Sequence, residues 1–89
     1  MLRIMLIFRS AEEVILKVDG RLAGADVELL EREGEPYLRE KKCLVLDLEG
    51  IRFIDQAGID LLRRWSGKQL KLRHKSPFVR ALLKAHGLD

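Results

Sequence analysis

Few side chains in this 89-residue chain can do covalent chemistry. It has no Thr and three serines, Ser10, Ser66 and Ser76. Ser76, His74 and Asp55 are the parts of a hydrolytic triad, but no nucleophile elbow surrounds any serine. There is no Gly-rich phosphate loop of either common kind. The single cysteine, Cys43, excludes an intramolecular disulfide and a four-cysteine zinc site. Two histidines and one cysteine make a poor metal set, so no metal and no cofactor is expected. Cys43 itself, at a strand start, reads as a small buried hydrophobe. His74 and His86 read as surface or helix-end groups. These residues describe a protein that binds, not an enzyme. The stretch with the most chemical content is Asp55-Gln56-Ala57-Gly58. An acid directly before a small-small pair at a helix start leaves free N–H groups accessible to another molecule. Such a terminus suits an anion, including a phosphate. On residue types alone, Asp55 as a plain helix cap and Gly58 as a packing glycine are the simpler account of the stretch.

Positioning that turn requires a strand before it and a helix after it. Cys43–Leu48 (CLVLDL) is the most apolar strand-like run, with Asp47 its one polar residue, and predicts a central parallel strand buried on both faces. Ala57–Trp65 predicts a short helix with Arg63 and Arg64 in its last turn, where cations suit the dipole. Trp65 reads as core or as a helix-end anchor, with partner contact as the alternative. Leu2–Phe8 is nearly all apolar and predicts a buried strand. After a polar break at Ser10–Glu13, Val14–Asp19 predicts a second strand, antiparallel to the first. Asp26–Glu40 predicts a helix, with Val27, Leu30, Tyr37 and Leu38 on one face. Gly34 and Pro36 predict a kink or an early stop within it. Gln69–His74 alternates apolar and basic residues, as an edge strand does. Ser76, Pro77 and Gly87 bracket a last helix, with Phe78, Leu82 and Ala85 as its apolar stripe and Val79, Leu83 and His86 beside it.

The order is ββαβαβα, which predicts an α/β single domain over residues 1–89. Its mixed sheet has an N-terminal hairpin and later strands parallel, packed with helices. A chain of this length buries only about 60–65% of its unfolded surface, so there is room for one core and no large internal pocket. The apolar start, Met1–Phe8, is far short of the roughly 20 residues a spanning helix needs. It also lacks the features of a secretory signal. A cytoplasmic protein with a reduced thiol is the expectation. The formal charge of +3 hides an asymmetry. Residues 1–60 hold 9 Lys+Arg against 13 Asp+Glu; residues 61–89 hold 8 against one. Such a skew marks either an acidic partner or a solvated face that complements the acidic half of the same molecule. No aromatic interleaving or reader motif supports a nucleic-acid partner.

Three segments, in order, resemble the STAS domain family of bacterial anti-sigma factor antagonists and sulfate-transporter tails. VDGRL (Val18–Leu22) is similar to the family's x-x-G-x-L. LVLDLEGIRFIDQAG (Leu44–Gly58) is similar to its central strand and F-[IM]-D-S-S-G turn. SPFVRALLKAHGLD (Ser76–Asp89) is similar to its S-P-x-V-R-x-x-L-x-x-x-G-L-D helix. The resemblance implies a non-enzymatic regulatory module that docks on another protein through Asp55, Gln56, Ala57, Gly58, Ile59 and Arg63. Phosphorylated members carry the acceptor on the second Ser of that turn. Here the slot is Ala57 and the preceding one Gln56, so neither can take phosphate. The acid that often follows G-x-L is Ala23 here. The implied partner is an ATPase-type protein. One option is an anti-sigma kinase. The other is a lipid-transport ABC ATPase, since the D-T-A-G-L variant of its accessory STAS subunits is similar to Asp55–Ile59. A basic nucleic-acid or membrane-surface binder is the alternative of a different class, and a weak homodimer stays open. Set beside the family, the second helix looks about two turns short. Longer members continue past Gly87-Leu88-Asp89 into one more strand. Gln69–His74 would then keep an open edge, where Lys71, Arg73 and Lys75 discourage aggregation.

Overall fold

The strand β3 (Cys43–Ile54) is the axis of the molecule in the computed structural model, which describes residues 1–88. The segment Leu44–Leu48 is buried at every position, as an internal strand of β-branched and long apolar residues should be. It runs parallel to β2 (Glu13–Leu22) on one side and to β4 (Leu70–Arg73) on the other. β1 (Leu2–Arg9) pairs antiparallel with β2, giving a four-stranded sheet of order β1-β2-β3-β4. The helices α1 (Asp26–Arg39), α2 (Gln56–Trp65) and α3 (Pro77–Ala85) fall between and after the strands in the expected ββαβαβα order.

Register decides which residues meet the helices. Val14, Leu44 and Leu70 are paired across three strands, and so are Leu16, Leu46 and Leu72. These side chains, with Val18 and Leu48, form one core with Val27, Leu30 and Leu38 of α1, Ile59, Leu61, Leu62 and Trp65 of α2, and Val79 and Leu83 of α3. Val45, one residue out of phase, is buried but lies outside that cluster. The helices therefore cover one face of the sheet. The other face carries Ile15 and Val45 among Lys17, Asp47, Lys71 and Arg73.

Several expectations change. The run Leu2–Phe8 is a strand but not a buried one: Met5, Leu6, Ile7 and Phe8 are 37–51% exposed, because β1 is the outer strand of the sheet. An apolar run alone does not distinguish an internal strand from an outer one. A register shift between Leu6 and Phe8 interrupts its pairing. The first helix does not stop at Gly34 or Pro36 but continues to Arg39. Pro36 removes one helical donor, yet Leu30, Gly34 and Leu38 are buried on the same side, and that packing outweighs the local defect. In α3 the buried residues are Val79 and Leu83, and Phe78 is 55% exposed, so the stripe is rotated by one position. Cys43 is half-buried. β3 runs six residues past Leu48, to Ile54. The last helix begins as expected, with Ser76 Oγ accepting from the Val79 N–H at 3.2 Å and Pro77 following. β4 pairs only with β3 among the described residues. No described helix is long and apolar enough to cross a membrane. Asp89, the end of the third motif-like segment, lies outside the described residues.

Trp65 joins α2 to α1. Its ring is 1% exposed, which places it in the core and corrects the partner-contact alternative. Its indole N–H donates to Glu35 Oε2 at 2.7 Å. That hydrogen bond, against the opposing effect of burial and with help from Lys68, holds the Glu35 carboxyl below the usual range. Gly34 makes the contact possible: a Cβ there would stand 2.6 Å from Trp65 Cη2 and 3.0 Å from Leu44 Cδ2. Gly34→Ala gains about 1 kcal/mol of helix propensity. It also forces a buried indole to shift, and overpacking of this kind costs about 1–3 kcal/mol. A lower urea midpoint and a red-shifted Trp65 emission are expected for Gly34→Ala; a midpoint above wild type would show that the ring yields freely.

Candidate functional site

β2 and β3 end side by side, with Leu22 opposite Ile54, and both side chains are buried. The Asp55 N–H donates to the Leu22 carbonyl at 3.1 Å, so the two chains leave the sheet at the same level. One continues through Ala23–Ala25 into α1 and the other through Asp55 into α2. This is the carboxyl end of parallel strands, where loops in α/β sheets gather functional groups.

The Asp55 carboxylate holds both exits. Its Oδ1 accepts from the Gly58 N–H at 2.9 Å, which caps α2. Its Oδ2 accepts from the Gly24 N–H, also at 2.9 Å. The Gly24 N–H first, then that of Gly58, outweigh partial burial and hold the Asp55 carboxyl below its usual value. An ionised acceptor of two backbone donors is a strong, directional tie. Gly58 is buried, and a Cβ there would stand 2.7 Å from the Leu22 carbonyl oxygen and 2.8 Å from Ile54 Cγ2. The helix thus starts pressed against the strand ends.

The six candidate docking residues divide accordingly. Gln56, Ala57 and Arg63 are exposed. Asp55 is partly buried and fixes the turn from beneath. Gly58 is a packing residue. Ile59 is 1% exposed and belongs to the core, which corrects its assignment to the surface: in a helix beginning at Gln56 it falls on the inward side. Gln56 Nε2 donates to Asp60 Oδ1 at 2.9 Å, one turn along. Arg63 Nη2 donates to the His86 carbonyl at 3.2 Å and ties the end of α2 to the end of α3. The surface around the turn also includes Gly24 and Ala25, exposed and joined to it through Asp55. Sequence reading missed them, since the only signal is the second glycine of GRLAG. Beside them the Arg21 guanidinium lies 4.5 Å from the centroid of the half-exposed Phe53 ring.

A second polar cluster sits on the helix-free face. Asp47, Glu49 and His74 can each bring one ligand atom within 4.8 Å of the others. Asp47 is already engaged, accepting from the Glu49 N–H at 3.1 Å and contacting His74 Nδ1 at 2.9 Å. Burial raises its pKa, but these two partners together with Arg73 turn the net shift downward. A guanidinium beside the cluster disfavours a cation, so the arrangement serves to pin the end of β4 to β3.

Asp55→Asn tests the tie. The amide oxygen can still cap Gly58, but the amide NH2 then faces the Gly24 N–H, donor against donor. A loss of about 1–2 kcal/mol at pH 7 is expected. A carboxyl with a lowered folded-state pKa stabilises above its unfolded value, about 3.9, and that contribution is lost as pH falls through the folded value. The gap between wild type and Asp55→Asn in urea unfolding should therefore close on going from pH 7 towards pH 2. A gap independent of pH would show that ionisation of Asp55 contributes nothing.

Comparison with known proteins agrees with this architecture. A family model described as "Mlab, STAS domain" matches residues 6–89. The anti-sigma factor antagonist SpoIIAA, solved in its unphosphorylated form, is 19% identical and superposes with a TM-score of 0.80, covering 97% of this chain and 82% of that one. An anti-sigma factor antagonist from Mycobacterium paratuberculosis is 17% identical, with a TM-score of 0.84 over 100% of this chain and 80% of that one. Among curated proteins no sequence matches. With 84 of its 89 residues under one family model and the sheet order, cap and strand-end turn in place, the chain belongs to the STAS domain family.

Proposed function

We propose that this protein is a non-enzymatic regulatory module that docks on an ATPase-type partner through the Asp55 turn, in a state that phosphate cannot switch. The observation that carries the reading is Ala57. It is exposed in the first turn of α2, at the slot where the resemblance puts the acceptor serine, and it presents only a methyl group. Gln56 before it has no hydroxyl either. Around Ala57 the exposed surface is small and preorganised: Gly24 and Ala25 are tied through Asp55, and Gln56 is tied to Asp60. A partner backbone can come close, and little side-chain entropy is lost on contact. Gln56 offers an amide donor and acceptor, and Arg63 supplies a cation at the far end of the same helix. The similar solved proteins are anti-sigma factor antagonists, which favours an anti-sigma kinase as the partner.

A second reading, an accessory subunit of a lipid-transport ABC ATPase, is favoured by the family model, described as Mlab, and by the similarity of Asp55–Ile59 to D-T-A-G-L. Genomic neighbours separate the two: a sigma factor or its kinase in one case, transporter subunits in the other. Affinity capture then tests both. Wild type should retain one of these ATPases, and Gln56→Arg, which puts a long cation on the surface, should reduce capture at least tenfold. Recovery of neither ATPase ends both docking readings. In parallel, incubation with a captured kinase and ATP should leave the protein unmodified. Phosphate on Ser66 or Ser76 would contradict the unswitchable state.

A further inference from the structure

The exposed side of α2 carries four polar side chains, and each has a partner within the molecule. Arg64 is held by Glu31 at 3.3 Å and Arg63 by the His86 carbonyl at 3.2 Å. The other two, Gln56 and Asp60, hold each other. They lie one turn apart, and Gln56 Nε2 donates to Asp60 Oδ1 at 2.9 Å. Side chains on a helix lean towards its N-terminus, which brings Asp60 back over Gln56. The two limbs of the Gln56 amide differ chemically, and Asp60 distinguishes them. A carboxylate accepts and does not donate, so only the NH2 limb can turn towards it. The reverse orientation would set oxygen against oxygen. Oε1 is therefore the limb turned away from Asp60. It belongs to the residue next to Ala57, on the surface where the exposed neighbours Gly24, Ala25 and Ala57 are all small.

We infer that Asp60 is a positioning residue for the docking surface: it orients the Gln56 amide so that the turn presents a hydrogen-bond acceptor, and the partner meets Oε1 with a backbone N–H. The inference rests on the docking reading above and adds the polarity of the contact. Small neighbours favour a backbone donor, because they let the partner's main chain come close. The orientation also selects. A partner carbonyl brought to Oε1 would leave two acceptors facing each other away from water, and an unsatisfied polar group at a contact costs affinity. The second N–H of the amide is not required. Asp60 touches the partner only through Gln56, and its own role is to decide which limb of that amide faces outward.

The orientation is read in the free chain, labelled with nitrogen-15. The Gln56 NH2 protons should show NOEs to the Asp60 Hβ protons. Asp60→Ala should move the Gln56 NH2 cross-peaks and leave those of Gln69, the other side-chain amide, in place. The polarity is read with the ATPase that wild type retains. Gln56→Glu/Asp60→Asn exchanges the two groups at constant charge. The amide at 60 then donates to the acid at 56, which has no N–H in its side chain and still presents an acceptor. This variant should bind within about threefold of wild type. Asp60→Lys donates to Oε1 and turns the NH2 limb outward. It should keep the wild-type circular dichroism spectrum and bind about tenfold more weakly or worse. That loss should persist at high salt, where a purely Coulombic effect is screened. Any of four results overturns the inference: no NOE between Gln56 and Asp60, a tenfold loss in the double exchange, wild-type binding by Asp60→Lys, or a loss that vanishes at high salt. If wild type retains no ATPase, the docking reading fails and the donor contact falls with it, whatever the NOEs show.

Discussion

A single carboxylate joins two segments that the sequence separates by 31 residues. Asp55 caps α2 with one oxygen and fixes the β2–α1 loop with the other. The surface on that end of the molecule depends on this arrangement. Without the Gly58 bond the first turn of α2 has unsatisfied donors, and the helix loses its defined start. The Gly24 bond ties the Ala23–Ala25 loop, whose carbonyls also accept from the first N–H groups of α1, to the start of α2. Gly58 then sets the depth of the turn, since only a residue without a side chain can lie against the Leu22 carbonyl. The backbone of the turn is placed by these two hydrogen bonds, the Asp55 N–H bond to the Leu22 carbonyl and one close approach, and the Gln56 side chain by Asp60. That rigidity is what a docking surface made of small residues needs, because it has no large side chains with which to adapt.

The second constraint is size. With 89 residues, the chain builds one core, and all three helices go to the same face of the sheet. The consequences appear on the uncovered side and at the edges. Val45 and Asp47 are buried there by neighbouring side chains alone. The two outer strands differ in kind. β1 exposes Met5, Leu6, Ile7 and Phe8 but interrupts its pairing between Leu6 and Phe8 and brackets the apolar residues with Arg3 and Arg9. β4 is short and basic. Irregular pairing and charge are both ways in which natural sheets prevent uncontrolled edge pairing.

Those elements whose signals are local were legible in the sequence. β3 is announced by the run Cys43–Leu48, apolar at every position but Asp47, α3 by Ser76-Pro77, and α2 by Asp55. The cap residues make their bonds within three positions, so no knowledge of the fold is needed to read them. What was not legible depends on neighbours. Whether Leu2–Phe8 is internal or external is decided by sheet order, to which its own residues contribute nothing. Pro36 breaks a helix in isolation, but here Leu30, Gly34 and Leu38 all pack inward and carry the helix past it. Gly34 is a helix defect by its own residue type, and the Trp65 ring packed against it is what requires it. In the candidate site, Asp55, Gln56, Ala57 and Arg63 could be selected from motif and spacing. The inward position of Ile59 depends on where the helix begins and on which side the sheet lies. The bond from Gly24 to Asp55 crosses 31 residues, and no local pattern encodes it.

The charge asymmetry resolves into two parts on the same grounds. Some of the basic third does complement the acidic half. Arg64 meets Glu31 at 3.3 Å and Lys68 meets Glu35 at 3.4 Å, both joining the end of α2 to α1. Exposed pairs of this kind contribute little energy singly, about 0–1 kcal/mol. They still settle where the local field cancels, and it cancels along the α1–α2 seam. Lys71, Arg73, Arg80 and Lys84 lie beyond that seam, on β4 and α3, where the chain has no acid in sequence from Leu61 to Leu88. Asp47 faces Arg73 across the sheet, and the positive charge that remains attracts anionic groups over about a Debye length. The net charge of +3 is therefore the less informative quantity; the distribution separates a seam that closes the fold from a basic surface on β4 and α3.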